Sequence, residues 1–170
     1  TRKVRDLRKD LNVRRFAIPK LQRNFVWDAG KAAKLLDSIY HQMPIGSLFL
    51  WEMDQTSAHL IRQASGILPP FNQQNKKIAF VIDGQQRLSV IYQAFKGESK
   101  ENDAHNAIHF SRLCFLVKPD PEQDSVRRIV YRKPDGRTIV PLHDILSPHW
   151  APLMPTKAKW FTKEIKDCRA

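Results

Sequence analysis

Five consecutive residues, Asp83 to Arg87, carry the side chains of this sequence that are best suited to phosphate chemistry. They follow a short apolar run and precede a pattern typical of an amphipathic helix. A helix start offers unpaired backbone N–H groups and the positive end of the helix dipole, and both favour an anion. Gly84 lets the backbone approach a ligand closely, and Gln85, Gln86 and Arg87 add hydrogen-bond donors that suit phosphate. The run therefore predicts an anion site.

Asp83 has three chemical uses at such a junction. Its carboxylate can cap the helix, accept a proton, or hold a divalent cation through water. The helix cap is the structural alternative to a functional role, and Gly84 has its own structural alternative, which is to ease the turn. The residues alone leave these alternatives open.

Two predicted pairs of a helix and a strand must position this run. In the first pair, Asp28 is a predicted N-cap, and the residues after it repeat apolar side chains with helical spacing. A turn at 44–46 and a buried strand over 47–51 complete this pair. The other pair consists of a strand over 78–82 and a helix over about 84–95.

The remaining segments predict shorter elements. Residues 1–13 fit a short basic amphipathic helix, residues 54–77 a loop or insertion, and residues 97–106 a charged connector. Two further segments, 113–117 and 126–132, predict strands. The whole pattern is that of a mixed α and β protein.

The composition describes a basic folded domain. The chain has 170 residues, of which 42% are hydrophobic, and this is enough for one domain with a core. Its 29 Lys and Arg residues exceed its 17 Asp and Glu residues and give a formal net charge of +12. Such a surface attracts polyanions, so we expect a nucleic-acid partner. No apolar stretch approaches the roughly 18 residues of a membrane span and no signal peptide is apparent, so we expect a soluble, cytoplasmic protein.

Other residue types give little support to metal or redox chemistry. Cys114 lies in an apolar run and Cys168 in a charged segment, and neither has a Cys or His nearby at metal-ligand spacing. The six histidines show no such spacing either. The chain has no Gly-x-x-x-x-Gly-Lys-Ser/Thr run, which argues against a P-loop.

A group of cations alternates with apolar residues near the middle of the second half of the chain. The group forms either a solvated strand edge or a strip that faces DNA, and both interpretations stay open. Its members are Arg127, Arg128, Arg132 and Lys133.

Four sequence blocks, taken in order, resemble the GmrSD-type restriction endonuclease N-terminal domain. The blocks are Ile18-Pro19-x-x-Gln22-Arg23-x-Phe25-Val26-Trp27, Leu36-Asp37-Ser38-Ile39, Pro44-Ile45-Gly46-Ser47-Leu48 and Val81-Ile82-Asp83-Gly84-Gln85-Gln86-Arg87-Leu88. Order, spacing and residue identity agree over roughly residues 5 to 146. The resemblance implies a compact α+β domain of the ParB/sulfiredoxin type over 1–146, with a small mixed sheet and flanking helices. We expect residues 147–170 to form a loop and a partial helix that lead to a missing C-terminal region.

The same resemblance implies a function in bacterial antiviral defence. Family members restrict modified or foreign DNA, and the resemblance implies binding and hydrolysis of a nucleoside triphosphate, GTP or another, with Mg²⁺. It also implies coupling to a C-terminal HNH-type nuclease domain, for which this chain has no complete pattern. Some relatives sense phosphorothioate-modified DNA, so DNA with or without this modification is an expected partner. A homo-oligomeric state stays open.

Within this resemblance, three residues of the Asp83–Arg87 run receive catalytic roles. Asp83 would orient a water molecule or a hydrated Mg²⁺, and it is the predicted metal contact. Gln86 would position the attacking water, as glutamine does in other nucleotide hydrolases. Arg87 would neutralise phosphate oxygens.

Four further residues receive nucleotide-binding roles. Arg23 would neutralise phosphate oxygens together with Arg87, and Gln22 and Gln85 would fix the orientation of the phosphates. Gly84 would let the backbone come close to them. For Arg23 an ion pair with an acidic neighbour such as Asp37 is the structural alternative.

Other function classes stay open at this point. One is a reader of DNA or of phosphorothioate modification that keeps the fold without turnover, which predicts DNA binding with a steep salt dependence. Another is direct metal-dependent nuclease action at Asp83. Sulfiredoxin-like redox chemistry is disfavoured, because neither Cys lies near Asp83 in the sequence.

Overall fold

The computed structural model describes Leu7 and residues 10–62, 68–101, 107–118 and 127–146. In these residues helices accompany three small sheets, which confirms the predicted α+β class. The ParB/sulfiredoxin topology stays a prediction, and the predicted loop and partial helix at 147–170 lie outside the described residues.

The elements follow one another in a simple order. They are β1 (Phe16–Ala17), α1 (Ala29–Tyr40), β2 (Phe49–Asp54), β3 (Lys77–Asp83), α2 (Gln85–Lys96), β4 (Ser99–Glu101), β5 (Ala107–His109), β6 (Leu113–Leu116), β7 (Ile129–Tyr131), β8 (Ile139–Pro141) and α3 (Leu142–Leu146). Two 3-10 helices, Gln55–Leu60 and Phe110–Arg112, accompany them. Leu7 and residues 10–12 are also helical, which agrees with the helix predicted over 1–13.

The chain divides into two compact units. The first comprises Thr1–Val26, Gly46–Tyr92 and Asn102–Asn106, and the second comprises Trp27–Ile45, Gln93–Glu101 and Ala107–Ala170. The residues of α2 up to Tyr92 belong to the first unit.

A three-stranded mixed sheet forms the centre of the first unit. Its order is β1-β3-β2, with β1 parallel and β2 antiparallel to β3. Residues 78–81 of β3 are all buried, because successive side chains of this central strand pack into apolar clusters on both faces of the sheet. One cluster contains Val81 and Leu88, and the other contains Phe80. This packing fixes the end of β3, from which the Asp83–Arg87 run begins.

The buried strand predicted over 47–51 differs from the observed β2. The strand begins at Phe49, continues to Asp54 and forms an edge of the sheet, with Phe49 62% and Trp51 58% exposed. The apolar run indicated burial, but a short run cannot distinguish an edge strand from a central one. The predicted loop over 54–77 contains the 3-10 helix Gln55–Leu60.

The second unit combines α1 with two antiparallel sheets. Asp28 caps α1 as predicted, because its Oδ1 accepts a hydrogen bond of 2.8 Å from the Lys31 backbone N–H. The larger sheet has the order β7-β6-β8, and β4 pairs with β5 in the smaller one. The charged connector predicted over 97–106 is therefore wrong in part, since β4 lies within it. Its polar residues have no apolar alternation that would indicate a strand.

Asp37 of α1 anchors β7 in the second unit. Its Oδ1 accepts hydrogen bonds from the backbone N–H groups of Arg128 and Ile129, each 2.9 Å long. The Arg128 guanidinium donates to the carbonyls of Leu116 and Val117, each at 3.2 Å. Both groups therefore hold the strands of this unit together.

Candidate functional site

The Asp83–Arg87 run forms the corner between β3 and α2. β3 ends at Asp83, and Gly84 turns the chain with φ at +91° before the helix begins at Gln85. The Leu88 N–H donates to the Gly84 carbonyl at 2.9 Å, so Gly84 occupies the N-cap position and Asp83 precedes it. The Asp83 side chain is 74% exposed. Helix capping therefore does not explain this carboxylate.

Arg87 is held against two glycine turns. Its Nη2 donates to the Ser47 carbonyl at 2.7 Å and to Asp83 Oδ2 at 3.0 Å. A Cβ atom added at Gly46 or at Gly84 would crowd the guanidinium, and both glycines have positive φ, +84° and +91°. The third and fourth family blocks thus meet at this side chain, which is 16% exposed.

Gln86 joins the first family block to the helix start. Its Oε1 accepts a hydrogen bond of 2.9 Å from the Val26 N–H, and its Nε2 donates to the Asn24 carbonyl at 3.0 Å. Gln86 as a whole is only 9% exposed. Both ends of this amide therefore bind the extended segment that carries Gln22 and Arg23.

Gln22 binds the same corner from the other direction. Its Nε2 donates to the carbonyl of Ile82, the residue before Asp83, at 2.6 Å. The Gln22 carbonyl in turn accepts a hydrogen bond of 2.6 Å from Arg62 Nη1. The segment is consequently tied to the end of β3 as well as to α2.

Arg23 lies between these attachments and is exposed. It makes no hydrogen bond or ion pair with any other residue that the structure describes. The carboxylate of Asp37, the acidic partner considered for it, serves the backbone of Arg128 and Ile129 instead. Arg23 is thus a cation on a fixed backbone that is available to an anion.

Gln85 begins α2 and is 5% exposed. Its Oε1 is buried and has no hydrogen-bond partner within the described part of the chain. A buried acceptor left without a donor costs about 1–3 kcal/mol. A ligand that brings an N–H or O–H group to this atom would remove that cost.

The donor groups at the corner fit a Mg²⁺ ion only together with phosphate. In the described ranges no group of three or more His, Cys, Asp and Glu residues is arranged to hold a metal. Asp83 supplies a single exposed carboxylate. Mg²⁺ typically keeps several waters and binds one or two carboxylates plus substrate phosphates. Asp83 therefore fits an ion that shares its coordination with a nucleotide, and not an all-protein metal site.

Cys114 is a buried residue of β6, as its apolar neighbours indicate. Burial, followed by the charges of Asp144 and Asp135, raises the pKa of its thiol to about 11. The reactive thiolate is disfavoured at neutral pH, which agrees with a core role for this residue.

The cations predicted to form a strand edge or a DNA-facing strip have different surroundings. Arg128 is committed to carbonyls of its own sheet and lies 5.9 Å from the centre of the Phe115 ring. Arg127 and Lys133 are exposed.

Within the described ranges, no helix is long and apolar enough to span a bilayer.

Sequence reasoning brought Gln22, Arg23 and the Asp83–Arg87 run to one site, and the structure joins their segments by hydrogen bonds. It missed five contributors: Arg62, the Val26 N–H, and the carbonyls of Asn24, Ser47 and Ile82. Four of these are backbone groups, which leave no residue-type signal. Gly46 and Ser47 are neighbours in the third family block, and this position in the block was the available signal that the Ser47 carbonyl contributes to the site.

Comparison with known proteins identifies the family. The chain is 32% identical over 98 residues to an uncharacterized protein of Methanocaldococcus jannaschii. The match covers 55% of this chain but 17% of that protein, so the chain spans a small part of the relative's length. The protein-family model of the GmrSD restriction endonuclease N-terminal domain matches residues 4–144 of this chain. This match confirms the resemblance predicted over roughly residues 5 to 146. The chain belongs to the GmrSD restriction endonuclease N-terminal domain family.

Proposed function

We propose that this domain binds and hydrolyses a nucleoside triphosphate, GTP or another, and so regulates a restriction system that acts on modified or foreign DNA. One observation carries the proposal. Three family blocks are joined by side-chain hydrogen bonds at a single helix start, while Asp83 and Arg23 remain exposed there.

The phosphates bind at the start of α2. The helix dipole and the first backbone N–H groups favour negative charge, and Gly84 adds no side chain that would obstruct approach. Arg23 adds a full positive charge from the segment tied to this corner. Gln85 Oε1 accepts a hydrogen bond from an N–H or O–H of the nucleotide.

Asp83 is the residue that orients the attacking water. Its exposed carboxylate is held by Arg87, which is itself bound to the Ser47 carbonyl. A Mg²⁺ ion bound with the phosphates would supply neutralisation of their charge. Arg87 thus fixes the carboxylate and keeps positive charge beside the phosphates.

The regulatory part of the proposal rests on charge. The net charge of +12 attracts DNA, and exposed cations such as Arg127 and Lys133 offer phosphate contacts. We propose that DNA, plain or phosphorothioate-modified, changes the rate of hydrolysis. An HNH-type nuclease domain then changes its activity according to whether the nucleotide is bound or hydrolysed.

Phosphate release by the purified chain tests the proposal. The four triphosphates are compared with Mg²⁺, with no DNA, plain DNA and phosphorothioate DNA. We expect Asp83→Ala to reduce release by about 100-fold or more, because the oriented water is lost. Asp54→Ala, which removes an exposed carboxylate with no cap hydrogen bond, is the matched control and should keep the wild-type rate.

The alternative is a DNA or phosphorothioate reader without turnover. The contacts of Gln86 and Arg87 favour it, since both predicted catalytic groups bind the protein itself. This function predicts DNA binding that weakens steeply with salt and no phosphate release. Absence of release with every triphosphate, or a wild-type rate in folded Asp83→Ala, would contradict the hydrolytic proposal.

A further inference from the structure

We infer that Gln86 is a positioning residue that presents Arg23 to the phosphates, and that it does not orient the attacking water. The inference rests on the proposed function, because it concerns the same corner. In other nucleotide hydrolases a glutamine positions the attacking water, and we assign Gln86 this different role instead.

The contacts of the Gln86 amide support a positioning role. Oε1 accepts from the Val26 N–H and Nε2 donates to the Asn24 carbonyl, at 2.9 Å and 3.0 Å. The residue is 9% exposed. To turn toward a water molecule, the amide would have to leave two part-buried backbone groups without these partners, which is unfavourable.

Arg23 gains its fixed position from attachments on both sides. Before it, Gln22 Nε2 binds the Ile82 carbonyl and Arg62 binds the Gln22 carbonyl, each at 2.6 Å. After it, Asn24 and Val26 bind Gln86. The backbone of Arg23 is therefore held to the end of β3 and to α2 at once.

A cation on a fixed backbone binds an anion with a smaller loss of conformational entropy than a cation on a free loop. Arg23 makes no ion pair with a described residue that phosphate would have to displace. Arg87, in contrast, is already bound to Asp83 and to the Ser47 carbonyl. We therefore assign phosphate binding mainly to Arg23, and assign to Gln86 the placement of its backbone.

The test measures tripolyphosphate binding by calorimetry beside nucleotide turnover. Gln86→Met and Arg23→Gln should each weaken tripolyphosphate binding and raise KM by about tenfold, with kcat within about threefold of wild type. The double variant should bind tripolyphosphate as weakly as Arg23→Gln alone, because both changes act on the same interaction, that of Arg23 with phosphate.

Two controls match these changes. Gln55→Met removes a glutamine that donates to the Gln73 carbonyl elsewhere in the same unit. Lys20→Gln removes one exposed positive charge from the same extended segment. Both variants should keep wild-type tripolyphosphate binding. If Gln86→Met fails to fold, Gln22→Met removes the attachment on the other side of Arg23 and should show the same binding loss.

The outcomes separate the inference from the proposed function. A fall in kcat with unchanged KM in Gln86→Met would overturn the inference and leave hydrolysis in place. Additive losses in the double variant, or no tripolyphosphate binding by the wild type, would also overturn it. If the wild type binds tripolyphosphate without turnover, the hydrolytic proposal fails, and the binding measurements alone decide the role of Gln86.

Discussion

Two aspartates of the family blocks, Asp83 in the first unit and Asp37 in the second, have opposite surroundings. Asp37 is 17% exposed at its side chain and accepts two backbone N–H groups, whereas Asp83 is 74% exposed and meets an arginine side chain. A carboxylate bound to backbone groups is committed to the fold. A carboxylate held at one oxygen by a side chain, with most of its surface in solvent, remains able to bind a ligand.

Two arginines, Arg128 in the second unit and Arg23 in the first, differ in the same way. Arg128 binds the carbonyls of Leu116 and Val117 and lies over Phe115, so it serves its sheet. Arg23 is exposed and makes no ion pair with a described residue. Residue type and membership of a family block therefore do not distinguish a residue committed to the fold from one that is available to a ligand, whereas burial and the kind of partner do.

The largest expected effect concerns Asp37. Asp37→Ala removes the acceptor of two backbone hydrogen bonds and should lower the free energy of unfolding by about 2–4 kcal/mol. Asp83→Ala is the matched comparison and should change it by less than about 1 kcal/mol, since it breaks an exposed ion pair. Urea denaturation of both variants measures the difference, and equal losses would contradict the contrast between the two aspartates.

The next effect concerns the packing of the Arg87 guanidinium against Gly46. Gly46→Ala places a Cβ against the guanidinium in a backbone with φ at +84° and should cost about 1–3 kcal/mol. Gly136→Ala is the control, because Gly136 has φ at +71° and no atom within 4 Å of an added Cβ. Thermal unfolding should show a smaller loss for Gly136→Ala. If both variants lose the same stability, backbone strain alone explains the effect and Arg87 has room to move.

A smaller effect should show that exposure alone does not identify a site. The Asp28 side chain is 57% exposed, yet it caps α1 through the Lys31 N–H. Asp28→Ala should lower the free energy of unfolding by about 1 kcal/mol without changing nucleotide turnover. Denaturation and phosphate release are measured on the same sample. A loss of turnover at unchanged stability would place Asp28 with Asp83 instead.

The smallest effect is a pH dependence in the second unit. A hydrogen bond from the Thr138 hydroxyl, and then bonds from the backbone N–H groups of Ile139, Arg137 and Thr138, lower the pKa of Asp135. Its contribution to stability is therefore present above the unfolded-state pKa of about 3.9 and is lost as the pH falls toward the lower folded value. Asp135→Asn should flatten the acid side of the stability profile. An unchanged acid side would show that these hydrogen bonds do not affect folding.

The elements of the site were predictable because their signals are local. The cap at Asp28, the apolar run of β3 and the helical pattern of α2 depend on neighbours in sequence, and all three predictions are confirmed. The family blocks also indicated that Gln22 and Arg23 belong with the Asp83–Arg87 run. The hydrogen bond from Gln22 to Ile82 agrees with that grouping.

The contacts that define the site were not predictable from residue types. The sequence predicts a water-positioning role for Gln86, but nothing in it indicates that the amide fits between the Asn24 carbonyl and the Val26 N–H. β2 was expected to be buried, but burial depends on whether another strand covers it. Such features depend on tertiary packing between distant parts of the chain.

The corner also has a consequence for folding kinetics. Its hydrogen bonds join residues 60 apart at Gln22–Ile82 and Val26–Gln86, and 40 apart at Ser47–Arg87. Closing such long loops costs entropy that few local contacts repay early, so contacts of this kind form late in folding. We therefore expect the proposed nucleotide binding to develop only in the final folding phase, with no binding by a chain in which β3 and α2 alone have formed.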